Sequence, residues 1–463
     1  MTDWDGKKVI MIGAARQGLA LSRYLAGKGA SVTVNDQRPE AELADIKTSL
    51  SQHGIHLVAG SHPLELLDGV DLVCLSGGVP LQLPLIQEAL LRNIPLSNDS
   101  QIFLERVPCK VIGITGSAGK STTTALVGEI AQRHFLLRHP NNTVWVGGNI
   151  GNPLISYLDQ IQPDDLAVME LSSFQLEIMT RSPQIAAILN LTPNHLDRHI
   201  TMANYISAKS QILTHQSPNG IAVLNRDDGN VRELYGEVKG RKITFGLNMP
   251  HDKQEATYYK RGKLFLQASG QAAKIINENM ITLRGKHNIY NILAAIAISV
   301  AASFSMQAIY EGISSFTGMP HRMEFIRQLH GADWYNDSIA TAPERTIAAL
   351  ESFEEPIVLL AGGRDKDLPW KKLAQRIHER VDHLVVFGEA AELIEKAVGS
   401  SSPDQRPFTL DRCKGLQDAV LVAAERAEAG DVVLLSPGGT SFDEFIDFED
   451  RGRCFIKWVK ELS

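Results

Sequence analysis

Cysteine is scarce in this sequence, with four residues among 463. Cys74, Cys109, Cys413 and Cys454 stand far apart and no pair has CxxC spacing, which argues against a disulfide framework and a cysteine-rich zinc site. Reduced, buried thiols of a cytoplasmic protein are the fitting reading. Aromatic residues amount to only 6%, too few to favour a stacking platform for single-stranded nucleic acid. Positive charge is not in excess either: 46 Lys and Arg face 53 Asp and Glu, a net charge of -7. Such a balance gives no general attraction to nucleic acid or anionic membrane, although a local basic site for one phosphate ligand is compatible with it. Long apolar runs are missing. The longest, from Ile292 to about Ala302, is too short to span a bilayer and reads as a buried helix. The N-terminal Met-Thr-Asp-Trp-Asp-Gly-Lys-Lys carries no apolar signal-peptide core. The expectation is a cytoplasmic monomer whose partners are small molecules, with no nucleic acid and no membrane.

What is present is ordinary globular composition, 44% hydrophobic and 21% charged. At about 150 residues per domain the length predicts about three domains. The pattern restarts three times. Val9 to Ile12 is an apolar run followed by Gly-Ala-Ala-Arg-Gln-Gly and the helical pattern Leu19 to Leu25; strands Ser31 to Val34 and Asp71 to Leu75 follow. A second start comes at Lys110, with strands at 111–115, 166–170 and 186–190, a hairpin around Asp252 to Gly270, and a helix from Asn288 to Ala302. A third follows Gly318-Met319-Pro320, with strands Ile357 to Leu360, Leu384 to Phe387 and Asp431 to Leu435, each ending in glycine. Strand, glycine turn and helix in alternation predict α/β domains with mostly parallel sheets. Three are expected in series, residues 1–109, 110–318 and 319–463: Rossmann-like, P-loop ATPase-type and Rossmann-like.

The strongest local signal is Gly116-Ser117-Ala118-Gly119-Lys120-Ser121-Thr122. A strand feeding a glycine loop that opens a helix turns backbone N–H groups toward a phosphate. Lys120 then reaches the outer phosphates and Ser121 ligates Mg²⁺. The full pattern has glycine six residues before the lysine; Ile114 stands there, so the loop is shortened. Gly13 to Gly18, with Asp36 after the next strand, resembles a dinucleotide fingerprint whose middle glycine is Ala15. A nucleotide or sugar phosphate other than NAD fits it better, with Asp36 on a ribose or base and Arg38 on a phosphate. Glu170 ends an apolar strand, Asn190 the next, and Asn194-His195-Leu196-Asp197-Arg198-His199 follows. Strand ends converge on the phosphate loop in such sheets, making Glu170 and His195 Mg²⁺ candidates. Spacing assigns Lys209 nothing beyond a helical surface. Arg322 and Asp337 open the third domain, where an arginine neutralises charge near ATP and an aspartate holds ribose hydroxyls.

Taken together, ITGSAGKST from Ile114, GGNIG from Gly147, MELSSFQLE from Met169, LNLTPNHLDRH from Leu189, Lys209, GKHN from Gly285, HRME from His321, NDS from Asn336 and SPGGTSFDEF from Ser436 resemble the Mur ligase family of ATP-dependent amino-acid ligases. The resemblance spans nearly the whole chain. It implies that Gly116 to Thr123, through Lys120, Ser121, Thr122 and Thr123, binds the ATP phosphates. It implies one Mg²⁺ at Ser121 and Glu170 and a second at His195 and Lys209, the lysine carbamylated by CO₂. Asn288, Arg322 and Asp337 match further ATP contacts. Asp36 and Arg38 match the site for the UDP end of the substrate, Asn149 a contact to its sugar-peptide part, and Thr341, Lys366, Ser441 and Phe448 the site of the incoming amino acid. ELSSFQLE and SPGGTSFDEF point to the branch that adds glutamate to UDP-MurNAc-L-alanine in peptidoglycan precursor synthesis. The sequence departs from the family pattern at Ala118, usually Asn, and at Ile339, where NDSKATN has Lys.

The implied reaction is phosphoryl transfer, then acyl transfer. The substrate carboxylate takes the ATP γ-phosphate, and the glutamate amine displaces phosphate from the acyl carbon. Two anions must meet, so charge neutralisation and positioning are the protein's part. Closure of the third domain onto the middle one is expected before chemistry. Ligation of L-glutamate in place of D-glutamate is the alternative. A P-loop ATPase switch, an NAD-dependent dehydrogenase and a folylpolyglutamate-type ligase fit less of the pattern.

Overall fold

The computed structural model describes residues 3–251 and 253–463. It divides into two compact units, Met1–Met280 with Ile289–Ser314, and Ile281–Asn288 with Ser315–Ser463.

The first unit holds two sheets. The N-terminal one is built from β1 (Lys8–Ile12), β2 (Ser31–Asp36), β3 (His56–Ala59), β4 (Leu72–Leu75) and β5 (Leu96–Ser97). They lie in the order β3-β2-β1-β4-β5 with every pair parallel. Order reverses between β1 and β4, which opens a crevice at their C-terminal ends. The glycine turn after β1 sits there. Gly13 has φ +92, and a Cβ on it would lie 3.0 Å from that of Ser76, after β4.

The second sheet contains β6 (Lys110–Thr115), β7 (Val144–Gly148), β8 (Leu166–Glu170), β9 (Ile185–Ile188), β10 (Ile221–Asn225), β11 (Arg241–Gly246), β12 (Ala256–Tyr259), β13 (Lys263–Ala268) and β14 (Gln271–Asn277). The order is β14-β13-β12-β11-β10-β9-β6-β8-β7. All pairs from β7 to β12 are parallel, and β13 and β14 return antiparallel. Strands β6, β8 and β9 are buried almost throughout, as expected of a parallel sheet covered on both faces. The expected hairpin is therefore a three-stranded meander; Asp252, at its proposed start, lies outside the described residues. The run Ile292–Ile298 is a buried stretch of the helix Lys286–Ala301, as read. Among the described residues no helix is long and apolar enough to cross a membrane.

The second unit has one sheet: β15 (Glu324–Leu329), β16 (Ala332–Asn336), β17 (Ile357–Gly362), β18 (Val381–Phe387), β19 (Thr409–Arg412) and β20 (Val432–Gly438), in the order β15-β16-β20-β17-β18-β19. Only β15 is antiparallel. The registers Asn336↔Leu435 and Gly362↔Gly438 bring the ends of β16, β20 and β17 side by side. The cysteines are free; Cys74 and Cys109 are buried as expected, whereas Cys413 and Cys454 are half-buried, which corrects that reading for two of the four.

Candidate active site

β6 lies between β9 and β8, so the loop after it faces the ends of both. Ile114 pairs with Glu170 and Thr115 with Ile188. The loop Gly116–Gly119 leads into the helix Lys120–Arg138, whose first position is Lys120. Gly119 has φ +82, and a Cβ there would stand 2.2 Å from Asn291 Oδ1, so only glycine closes this cradle. The loop is braced from the next strand. Asn190 Oδ1 accepts from Ala118 N at 2.8 Å and Asn190 Nδ2 donates to the Ala118 carbonyl at 3.0 Å. Ser117 Oγ donates to the Thr192 carbonyl at 2.9 Å and lies 2.9 Å from Tyr205 Oη. These bonds hold the loop through its backbone and Ser117, without a polar side chain at Ala118. Lys120 Nζ rests on the Gly116 and Ser117 carbonyls, at 2.9 and 3.4 Å. The Thr123 hydroxyl is buried and has no hydrogen-bond partner among the described residues, while Ser121 and Thr122 occupy the first helical turn.

Glu170 is 1% exposed. Its Oε1 accepts from Asn149 Nδ2 at 2.8 Å, and Asn149 N donates to its carbonyl at 2.9 Å. Its Oε2 is buried and has no hydrogen-bond partner among the described residues. A carboxylate oxygen left bare beside a phosphate loop fits a cation, because burial without a partner costs several kcal/mol (about 1–3 even for a neutral group). Asn149, expected on the substrate, holds this carboxylate in place.

Lys209 is 2% exposed, which overturns the surface reading from spacing. It lies on the helix Met202–Thr214, with Nζ 3.1 Å from Thr115 Oγ1 and 5.1 Å from the Tyr205 ring centre. Burial, with the Lys120 charge, drives its pKa well below the ordinary lysine value, against the opposing pull of Glu170. A buried amine driven toward neutrality is the nucleophilic form of lysine. His195 sits in left-handed backbone, φ +53, exposed, with its ring 5.1 Å from that of Phe174. Partial burial lowers its pKa; Asp197 opposes this, while Lys120 and Lys209 add to it. The phosphate loop, Glu170, His195 and Lys209 are thus in electrostatic reach of one another. Among the described residues no three His, Cys, Asp or Glu form a ready metal cage. Glu170 Oε2 and His195 are donors that fit a cation whose remaining ligands come from phosphate oxygens.

The ELSSFQ segment explains itself physically. Ser172 and Gln175 form a capping box on the short helix Ser173–Leu176. Gln175 Nε2 donates to Ser100 Oγ at 2.7 Å, and its carbonyl accepts from Asn98 Nδ2 at 2.8 Å, joining the two sheets of the first unit. Arg198 donates to the Gly78 carbonyl and lies 5.2 Å over the Phe174 ring.

In the N-terminal crevice the Asp36 carboxylate is fully engaged. It accepts from Ala14 N at 2.8 Å, Arg38 N at 3.0 Å, Arg38 Nε at 3.0 Å and Arg38 Nη2 at 2.9 Å. Burial would raise its pKa, but these bonds prevail and hold it to about 2. Asp36 therefore orients Arg38 at the glycine turn, where Arg38 Nη2 also donates to the Ala14 carbonyl at 3.2 Å, and Arg38 is the half-exposed member of the pair.

In the second unit Asp337 follows β16, fully buried, accepting from Ser436 Oγ at 2.9 Å and Met323 N at 3.2 Å. Burial raises its pKa to about 7, against these bonds and the charges of Arg322 and Arg345. Asn288, grouped with this unit, donates to the Arg284 carbonyl at 2.7 Å. Ser441 is buried, Thr341 and Phe448 are half-buried, and Lys366 is exposed within the turn that Asp365 closes by accepting from Asp367 N. Sequence reasoning missed Arg451. Its guanidinium is fully buried and donates to Ser338 Oγ (3.0 Å) and to the Ser338, Gly439 and Thr440 carbonyls (2.9, 3.1 and 3.0 Å). It clamps the Ser338 turn to the glycine loop that precedes Ser441. No local signal marks it, since its partners lie 11 to 113 residues away.

Comparisons with known proteins agree with this layout. Residues 7–98 match the Mur ligase MurD-like N-terminal domain, 114–299 the Mur ligase middle domain, and 321–439 the Mur ligase glutamate ligase domain. The chain is 40% identical over 460 residues to the UDP-N-acetylmuramoylalanine--D-glutamate ligase of Symbiobacterium thermophilum, covering 99% of this chain and 98% of that protein. It is 37% identical over 462 residues to the protein of that name from Koribacter versatilis, covering 100% and 99%. In fold it is similar to the crystal structure of MurF from Acinetobacter baumannii, with a TM-score of 0.58 at 19% identity over 100% of this chain and 93% of that one. With likeness of this extent over its full length, in three α/β domains in series, the chain belongs to the Mur ligase family.

Proposed function

We propose that this protein is an ATP-dependent ligase that joins D-glutamate to UDP-N-acetylmuramoyl-L-alanine in peptidoglycan precursor synthesis. The observation that carries the reading is the full-length similarity to relatives named for that reaction, 40% over 99% of the chain. The buried Lys209 and the bare Glu170 oxygen beside the phosphate loop support it. On this reading the domains run 1–109 for the UDP substrate, 110–318 for ATP and 319–463 for the amino acid.

The loop amides and Lys120 bind the ATP phosphates, with Asn288, Arg322 and Asp337 as further nucleotide contacts. Ser121 and Glu170 hold one Mg²⁺, and His195 with Lys209 a second. Bound there, Mg²⁺ supplies neutralisation of phosphate charge. CO₂ adds to the neutral Lys209 amine, which forms an N–C bond, loses one proton and becomes a carbamate. The carbamate would give this buried side chain an anionic oxygen pair in reach of the Lys120 charge, able to hold a cation.

The terminal carboxylate of the UDP substrate, whose nucleotide end lies against Arg38, attacks the γ-phosphorus. An O–P bond forms as the bond to ADP breaks, giving an acyl phosphate. The glutamate amine, held with Thr341, Lys366, Ser441 and Phe448, then attacks the acyl carbon. Phosphate departs with the bonding pair and the amine loses a proton. Lys120 and Arg322 offset the charge that accumulates as two anions approach.

The test is phosphate release from ATP with Mg²⁺ and UDP-MurNAc-L-alanine, run with D-glutamate, with L-glutamate and with neither. Release that depends on D-glutamate is expected. Release with L-glutamate alone moves the protein to the other branch. Release without either overturns the ligase reading.

A further inference from the structure

Ile339 follows the Asn-Asp-Ser turn at a position where the family pattern carries lysine, so the turn lacks the cation the motif promises. The structure supplies another. Arg345, in the first turn of the helix Pro343–Leu350, folds back and donates from Nη1 to the Ile339 carbonyl at 3.0 Å. That carbonyl is held rigidly. Ile339 N donates to the His321 carbonyl at 3.1 Å, Thr341 N to the Ile339 carbonyl at 2.9 Å, and Gly438 N to the Ala340 carbonyl at 2.8 Å.

Arg345 gains little structurally from this placement. It is exposed, and among the described residues no carboxylate pairs with it, whereas Arg364 pairs with Glu389, Arg376 with Glu351 and Arg426 with Asp411. A cation in the first helical turn also works against the helix dipole. Local rules broken without a compensating partner mark functional positions. A guanidinium has five N–H donors, and the Ile339 carbonyl takes one. Among the described residues none of the rest has a protein partner, and the charge is near enough to act on Asp337, two residues before Ile339.

We propose that Arg345 binds a carboxylate of the incoming glutamate and so sets the specificity of the amino-acid site. The inference rests on the ligase reading above. A carboxylate suits the site because its two oxygens in one plane match the guanidinium fork. The arginine thus does from residue 345 what a lysine at 339 would do as a point charge.

Steady-state kinetics on the full chain test this, comparing wild type with Arg345→Gln, Arg345→Lys and the double variant Arg345→Gln/Ile339→Lys. Arg345→Gln raises the KM for glutamate ~10–100-fold, the range of a charge-assisted bond to a carboxylate, and changes the KM for ATP and for UDP-MurNAc-L-alanine less than about threefold. Arg345→Lys loses less than Arg345→Gln, and Ile339→Lys restores glutamate binding to the Arg345→Gln protein. A glutamate KM within about twofold of wild type in Arg345→Gln overturns the proposal. So does a loss that falls on the ATP KM, or equally on every substrate. A wild-type protein without glutamate-dependent turnover overturns the ligase reading itself. A wild-type protein that turns over, with an Arg345→Gln variant that keeps its glutamate KM, overturns this inference alone.

Discussion

Replacing Arg451 by methionine removes a buried cation held by neutral acceptors alone. It donates four hydrogen bonds, three of them to backbone carbonyls; after the change the Thr440 carbonyl keeps the Arg364 N–H, while those of Ser338 and Gly439 lose this donor. A bond from a charged donor contributes about 1.5–3 kcal/mol net, and a carbonyl left without a donor costs about 1–3 kcal/mol. Burying the guanidinium offsets part of this: desolvation lowers its pKa to about 10, although Asp443 and Glu444 oppose it. The expected net loss is therefore about 3–5 kcal/mol for Arg451→Met. Arg451→Lys loses less, about 2–3 kcal/mol, because an ammonium keeps the charge but cannot span both the Ser338 turn and the Gly439–Thr440 loop. Guanidinium chloride unfolding followed by tryptophan fluorescence reads this, since Trp334 is buried in the same unit. The glutamate KM should rise with it, because the clamped loop leads directly to Ser441. An Arg451→Met protein within about 1 kcal/mol of wild type would show that the carbonyls find other donors, and the clamp argument would be wrong.

Glu170→Gln keeps the bond from Asn149 but removes the charge on the bare oxygen. Turnover should fall at least ~100-fold with a raised Mg²⁺ requirement, while the melting temperature holds; unchanged turnover across a Mg²⁺ titration would exclude a metal role. Lys209 should incorporate ¹³C-bicarbonate as a carbamate visible by ¹³C NMR, and Lys209→Met should abolish both that signal and activity; a signal that persists in the variant places the label elsewhere. Asp337 has its pKa raised from 3.8 to about 7 by burial, so between those values the folded protein holds a proton that the unfolded chain has lost. Stability of the second unit should therefore fall as pH rises through that window and level off above it. In Asp337→Asn the slope should be shallower in denaturant titrations run from pH 4 to 8, the remainder coming from Asp431 and Glu444, and an identical slope in both proteins would contradict the assignment.

Much of the fold was legible because strands, glycine turns and helices are written locally. The run 110–115 followed by GSAGKST reads as a strand, a glycine loop and a helix, which is what the structure shows, and β8 has the residue bounds read from its apolar pattern. β9 ends at Ile188, two residues short of the expected Asn190, because Asn190 turns its amide onto the loop at Ala118. The strands β10, β11 and β14 of the middle sheet, and β15 and β16 in the third, were not read: partial exposure and polar residues blur the alternation in β14 and β15, whereas β10, β11 and β16 are short buried runs without a glycine-loop signal as clear as that after β6.

By itself, the sequence determined the chemistry on offer: a phosphate loop, a carboxylate at a strand end, a histidine, and a run of motifs sufficient for the family. Tertiary structure alone decided how those groups behave. Placing β6 between β8 and β9 sets Glu170 against the loop, and no local pattern encodes that lateral order. Folding buries Lys209 behind Thr115 and so makes a reactive amine out of what spacing describes as a surface lysine. It also saturates Asp36 with Arg38, brings Asn291 under Gly119 and pins Ser338 to Arg451. The physical reason is the same each time. Residue type and periodicity depend on neighbours in the chain, whereas desolvation, hydrogen-bond saturation and pKa depend on neighbours in space.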